Sequence, residues 1–154
     1  MRIISLSEKK TKQFAGEFAY MVLNQVNGEK KGAVVIALSG ELGAGKTTFA
    51  QGFARGLGIR KRIVSPTFVF ARRYALRSTR FQHFFHIDAY RVRSASWRKN
   101  DLKGLELDEV FANSRHLVLV EWAENVRALL PKGAIWVKMK HGEHENHRVI
   151  SISN

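Results

Sequence analysis

Apolar and polar positions divide the chain into segments of differing period. Phe14, Phe18 and Met21 recur at helical spacing, and Ser5 with Glu8 has the form of a capping box. These features predict an opening helix through "SLSEKKTKQFAGEFAYMVLNQVNG", stopped at Gly28. Residues 33–38, "AVVIAL", form an unbroken apolar run, the pattern of a strand buried on both faces. From Lys46 the period is helical again: Phe49, Phe53 and Leu57 share a stripe, Ala50 and Ala54 lie beside it, and Gly56 and Gly58 end it. The aromatic and β-branched runs "SPTFVFARRYAL" and "FQHFFHIDAY" flank "RSTR" and predict a hairpin. "RVRSASWRKNDLKG" is polar and basic, the composition of an exposed connection, and "LELDEVFANS" predicts a short amphipathic helix. A second buried strand, "HLVLVEW", leads to a helical turn ending at Leu130 before Pro131. "AIWVKMK" and "HRVISIS" alternate as a final hairpin across "HGEHEN".

No repeat, low-complexity tract or linker divides these segments, so the expectation is one domain over residues 1–154. That length is enough to bury roughly 70% of the unfolded surface in one core. No apolar run approaches the ~20 residues that span a bilayer. The start, "MRIISLSEKK", lacks the apolar core of a secretory signal. With no cysteine, disulfides, thiolate metal sites and thiol catalysis are excluded. A reducing, cytoplasmic location is the matching expectation. Charge alters the picture more: 26 Lys and Arg stand against 13 acids, a formal +13 with a pI near 10.5. Thirteen of the basic residues lie between Arg55 and Lys103, opposed there only by Asp88 and Asp101. Such a field attracts polyanions, with RNA or DNA the foremost candidates.

The sharpest chemical signal lies between the first buried strand and the second helix. Gly40-Glu41-Leu42-Gly43-Ala44-Gly45-Lys46-Thr47 matches G-x-x-x-x-G-K-[ST] at every fixed position. Its glycines let backbone N–H groups curl around phosphate oxygens, and the helix N-terminus adds positive potential. Lys46 is placed to reach β- and γ-phosphates, and the Thr47 hydroxyl to ligate Mg²⁺. Such a site needs an acid at the end of a neighbouring strand. Glu121 closes the run "LVLV", and Asp88 ends "FFHID"; either fits. In "SPTF", Thr67 could complete the metal shell as switch threonines do, or Pro66 could simply start a strand. The absence of an N-K-x-D guanine reader favours ATP. His141, His144 and His147 form H-x-x-H-x-x-H in a polar turn without the carboxylate pattern of a metal site, and His83 and His86 read as strand residues.

In series, "GELGAGKTTFAQGFARGLG", "SPTF", "HIDAYR", "LELDEVF" and "LVEWAENV" resemble the TsaE family, ATPases of bacterial tRNA threonylcarbamoyladenosine (t6A) synthesis. The resemblance covers most of the chain. It implies an α/β P-loop NTPase fold, with a mostly parallel central sheet flanked by helices and with β-hairpin additions. It also implies ATP and Mg²⁺ as cofactors and TsaD and TsaB as partners, which transfer the threonylcarbamoyl group to adenosine 37 of tRNAs reading ANN codons. Hydrolysis would reset that complex between turnovers. By motif, Glu41 and Leu42 belong to the nucleotide loop, Gly43, Ala44, Gly45, Lys46, Thr47 and Thr48 hold phosphates, and Thr47 ligates magnesium. Thr67 matches the switch threonine, Asp88 and Glu121 the acidic pair serving metal and water, and Thr11 the threonine near adenine. Trp122, Tyr90 and Arg91 match family positions as well. The chain departs from the pattern at Glu41, where the family often has Asp, and in its unusually basic "RSTRFQ" and residues 91–103. These departures bear on partner contacts, including closeness to tRNA. Two other functions fit a P-loop: a small-molecule kinase, which would need an acceptor lid not evident in the chain, and a basic RNA-binding module that senses nucleotide without turnover.

Overall fold

The computed structural model describes residues 1–25, 31–61, 63, 71–78, 80–91 and 107–153. Gly28, Thr67, the start of the first predicted hairpin and most of the basic connection after Arg91 fall outside these residues.

The described residues build a seven-stranded mixed sheet in the order β1-β7-β6-β2-β5-β4-β3. Its members are β1 (Arg2–Ser5), β2 (Val34–Ser39), β3 (Ala71–Ala75), β4 (His83–Asp88), β5 (His116–Glu121), β6 (Ile135–His141) and β7 (Arg148–Ser153). The parallel part is the centre, where β6, β2, β5 and β4 run side by side. Antiparallel strands close both flanks: β3 against β4, and β7 with β1 beside β6. The expected final hairpin is therefore built into the sheet, with β6 bonded directly to β2. Among the described residues the sheet is accompanied by α1 (Glu8–Gln25), α2 (Lys46–Gly56) and α3 (Leu107–Ala112), with a 3-10 segment over Ala123–Leu129.

The unbroken apolar runs have a direct cause. Val34, Ile36 and Leu38 of β2, with Leu117 and Leu119 of β5, face a core shared with α1 and α2. Their neighbours Val35, Ala37, Val118 and Val120 face a second core with Ala123, Val126 and Ala134. Strands covered on both faces cannot alternate with polar residues. On the first face, Phe49 and Phe53 of α2 pack between Phe18 of α1 and Phe84 of β4, with ring centroids 6.0–6.3 Å apart.

The first helix begins later than its capping box suggests. Ser5 lies in β1, paired with Arg148 of β7, and its hydroxyl bonds to Ser7 O and Thr11 Oγ1. Ser7 caps α1 instead, its Oγ accepting from Lys10 N–H at 3.2 Å. Pairing with a strand near the far end of the chain claims residues that local pattern assigns to the helix.

Glycine governs the contact between α1 and α2. A Cβ at Gly52 would lie 2.4 Å from Lys12 O, and one at Gly56 2.5 Å from Gly16 O. Gly56 is the last residue of α2, and Gly58 follows at φ +81°, but Gly56 also serves this close crossing. Gly52→Ala is expected to destabilise the protein by up to about 2 kcal/mol net. Overpacking against backbone costs about 1–3 kcal/mol, more than the ~1 kcal/mol that alanine returns in helix propensity. A lower urea midpoint at unchanged slope would show it; an unchanged midpoint would contradict the close crossing.

Candidate nucleotide site

Parallel strands bring their carboxyl ends to one edge of the sheet, where ligands of open α/β sheets bind. Here β2 ends at Ser39 and turns into Gly40, β5 ends at Glu121 and β4 at Asp88. Across the ladder, Leu38 pairs with Glu121 and Glu121 with Asp88. Thus both acids marked in the sequence stand on adjacent strands beside the glycine-rich loop. Both are buried, Asp88 at 8% exposure and Glu121 at 1%.

The loop has the backbone such a site requires. Gly40, Gly43 and Gly45 all have positive φ, at 144°, 75° and 93°. At Gly40 a Cβ would meet Met139 O at 2.2 Å, so only glycine passes β6 there. Gly45 is the N-cap of α2 without a side-chain cap bond, leaving the first helical N–H groups facing the loop. Glu41, Leu42 and Gly43 are exposed along the loop, and Ala44 is buried beneath it. Ala44 N–H closes the turn onto Glu41 O at 3.1 Å.

Lys46 opens α2 and folds back over the loop. Its ammonium donates to Gly40 O at 2.6 Å and to Glu41 O at 2.8 Å. It also lies 3.4 Å from the centroid of the Trp122 ring, a cation–π contact. Burial lowers the Lys46 pKa from the ordinary lysine value, while Glu124, Glu121 and Asp88 oppose that shift. The adjacent Thr47 donates its hydroxyl proton to Glu121 Oε2 at 2.8 Å. The second oxygen of Glu121 is 2.7 Å from His86 Nε2. A buried carboxylate is costly unless its lone pairs are engaged, and here both oxygens are.

Asp88 Oδ1 accepts from Tyr90 N–H at 2.9 Å. Glu124 takes the Gly40 N–H at 3.1 Å, tying the 3-10 segment to the loop's first residue. Trp122 sits at φ 56°, ψ 39°, rare for a bulky residue and worth about 1–3 kcal/mol of strain. That turn sends the chain from Glu121 into the 3-10 segment and sets the indole against Lys46 and, at 5.0 Å between rings, Tyr90. From the other side, the β6–β7 hairpin grips the loop. His141 Nε2 is 3.2 Å from Leu42 O, and Arg148 donates to Gly43 O at 3.1 Å. His141 and Arg148 are register partners across that hairpin.

Lys46, Thr47, Glu121 and Asp88 therefore converge as the sequence suggests, together with Glu41 through Gly45. Thr48 follows in the first turn of α2, half-buried. Thr11 is buried at 1% exposure near the start of α1, its hydroxyl 2.8 Å from Ser5 Oγ. Sequence reasoning did not assign roles to His86, Glu124, His141 and Arg148. Their partners lie from 35 to 105 residues away along the chain, so no local pattern announces them. Among the described residues no cluster of three or more His, Asp or Glu is arranged to hold a metal on its own. The donor set nevertheless fits a magnesium ion held jointly with phosphates: a hydroxyl and buried carboxylates beside a lysine and a glycine cradle.

Comparison with known proteins bears on the family. The sequence profile of the family described as "Threonylcarbamoyl adenosine biosynthesis protein TsaE" matches residues 5–150. A "tRNA threonylcarbamoyladenosine biosynthesis protein TsaE" from Bacillus subtilis is 36% identical over 115 residues, 75% of this chain but only 66% of that protein. The protein of the same description from Rickettsia bellii is 33% identical over 151 residues, covering 96% of this chain and 91% of its own. The crystal structure of B. subtilis YdiB superimposes with a TM-score of 0.71 at 31% identity, over 99% of this chain and 83% of that one. On the profile match and these relatives together, the chain belongs to the TsaE family.

Proposed function

We propose that this protein is the ATP-binding and ATP-hydrolysing subunit of t6A synthesis on tRNA, on a P-loop NTPase fold. The observation that carries this reading is the joint placement of Lys46, Thr47 and Glu121. The loop lysine is buried over the glycine cradle, and the hydroxyl beside it is bonded to a strand-end carboxylate. This is the equipment for a nucleoside triphosphate with its magnesium, and the sequence holds no guanine reader.

In this reading the loop N–H groups and the α2 N-terminus bind the β-phosphate region, and Lys46 places its charge against the β- and γ-oxygens. Thr47, Glu121 and Asp88 form the metal-side set. Magnesium, when bound, would neutralise phosphate charge as the terminal phosphoryl group leaves. Glu121 accepts the hydrogen bond of the Thr47 hydroxyl, so the Thr47 oxygen presents lone pairs to a cation. Asp88, paired with Glu121 across β4 and β5, is the second acid for metal or attacking water. Trp122 and Tyr90 cover the Lys46 side of the site. Thr67 is the switch threonine and Thr11 the adenine-side threonine of this scheme, both on family resemblance.

The partners are TsaB and TsaD, in the cytoplasm, with ATP hydrolysis resetting their complex between rounds of modification. The surface is suited to nearby tRNA: Arg55, Arg60, Lys61, Arg72, Arg73 and Arg77 are all exposed. Among the described residues no helix is long and apolar enough to cross a membrane. The test is ATP hydrolysis and t6A formation in reactions reconstituted with and without this chain. Dependence of repeated modification on this chain and on ATP supports the reading; phosphate appearing on a small-molecule acceptor would favour a kinase.

A further inference from the structure

His86 lies on β4, one strand in from the β3 edge of the sheet, yet in a buried position where stability alone would favour an apolar side chain. It is fully buried (0% exposure) between β3 and β5, with Arg72 and Leu119 as register partners. Its Nδ1 is buried with no hydrogen-bond partner among the described residues, and an unsatisfied ring nitrogen in a core costs stability. Its Nε2 spends that cost on one contact, 2.7 Å from Glu121 Oε1. An ionised carboxylate only accepts, so the proton of this bond belongs to Nε2. Glu121 Oε2 in turn takes the Thr47 hydroxyl at 2.8 Å. Imidazole, carboxylate and hydroxyl thus form one chain running from the core of the sheet to the first turn of α2.

We propose that His86 is a positioning residue. By holding Glu121 Oε1 it fixes the carboxylate so that Oε2 engages Thr47 and leaves the Thr47 lone pairs directed at a magnesium ion. The inference rests on the reading of Thr47 and Glu121 as metal-side groups. It predicts that His86 matters for magnesium-linked nucleotide binding and leaves phosphate binding by the loop untouched.

The experiment compares the full chain with His86→Leu, which removes the donor, and His86→Gln, whose amide N–H can still reach Glu121. Calorimetry measures the affinity of a non-hydrolysable ATP analogue in magnesium and in EDTA. Nitrogen NMR on histidine-labelled wild type reads which ring nitrogen of His86 carries hydrogen. The wild type should bind more tightly with magnesium, with the proton on Nε2. His86→Leu should lose about 10- to 100-fold of the magnesium-dependent gain, the usual cost of removing a group that orients a metal ligand, at unchanged affinity in EDTA. His86→Gln should recover most of it. Equal loss with and without magnesium would show a merely structural role and overturn the proposal, as would an unchanged magnesium response or a proton on Nδ1. If the leucine variant does not fold, the glutamine variant decides: a retained magnesium response supports the proposal and a lost one overturns it. A wild type indifferent to magnesium would overturn the reading of Thr47 and Glu121 themselves, and this inference with it, before any substitution is considered.

Discussion

Lys46→Ala is expected to abolish measurable nucleotide binding while the protein stays folded. The ammonium donates to the loop carbonyls of both Gly40 and Glu41. On phosphate it would make charge-assisted bonds worth about 1.5–3 kcal/mol each, so losing two weakens binding by roughly a hundredfold or more. Its contribution to folding is small by comparison. Burial opposes its charged form, as the lowered pKa records, and the carbonyl bonds and Trp122 contact offset that opposition. Removing the side chain thus relieves a desolvation cost as it removes the bonds that compensate for it. Calorimetry with ATP and thermal melting on one sample separate the two effects. A folded Lys46→Ala protein that binds ATP as tightly as wild type would show that the loop is a structural turn.

Glu121→Ala should behave differently, sparing part of the binding and losing turnover by at least about a hundredfold. The loop and Lys46 remain to hold phosphates, but Thr47 and His86 both lose their acceptor. Leaving the buried His86 donor unpaired also costs stability, about 1–3 kcal/mol, and the half-buried Thr47 hydroxyl adds less. The alanine variant should therefore melt earlier than Lys46→Ala. Glu121→Gln, which keeps one acceptor oxygen, should recover stability more than turnover. Single-turnover hydrolysis alongside melting curves distinguishes these losses. Full activity in Glu121→Ala would remove Glu121 from the chemistry and leave Asp88 as the working acid.

The parts of this site legible in the sequence are those fixed by spacing along the chain. Gly40 through Thr47 must be contiguous to form one loop, and β2 and β5 must be apolar throughout because both their faces are covered. Glu121 and Asp88 were visible because each ends such a run. What escaped is set by tertiary pairing. β1 exists because Arg2–Ser5 bonds to β7, and Met1 N and Ile152 N complete the edge against Ile152 O and Met1 O; four residues of "RIIS" carry no such message. The crossing at Gly16, Gly52 and Gly56 depends on two helices meeting backbone to backbone. His86 reads as one more strand residue until β4 and β5 come into register and set it against Glu121. Trp122 adopts a left-handed conformation that nothing in "VEWAE" requires, and it is the site's geometry that makes sense of it.

The central claim is that ATP turnover at this loop drives t6A formation. The most direct measurement is phosphate release from ATP by this protein, alone and with TsaB, TsaD and tRNA, counting modified adenosine in the same reactions. The account predicts hydrolysis stimulated by the partners, several modified tRNAs per complex, and loss of both with Lys46→Ala. Partner-independent hydrolysis with no effect on modification, or undiminished modification with Lys46→Ala, would contradict it.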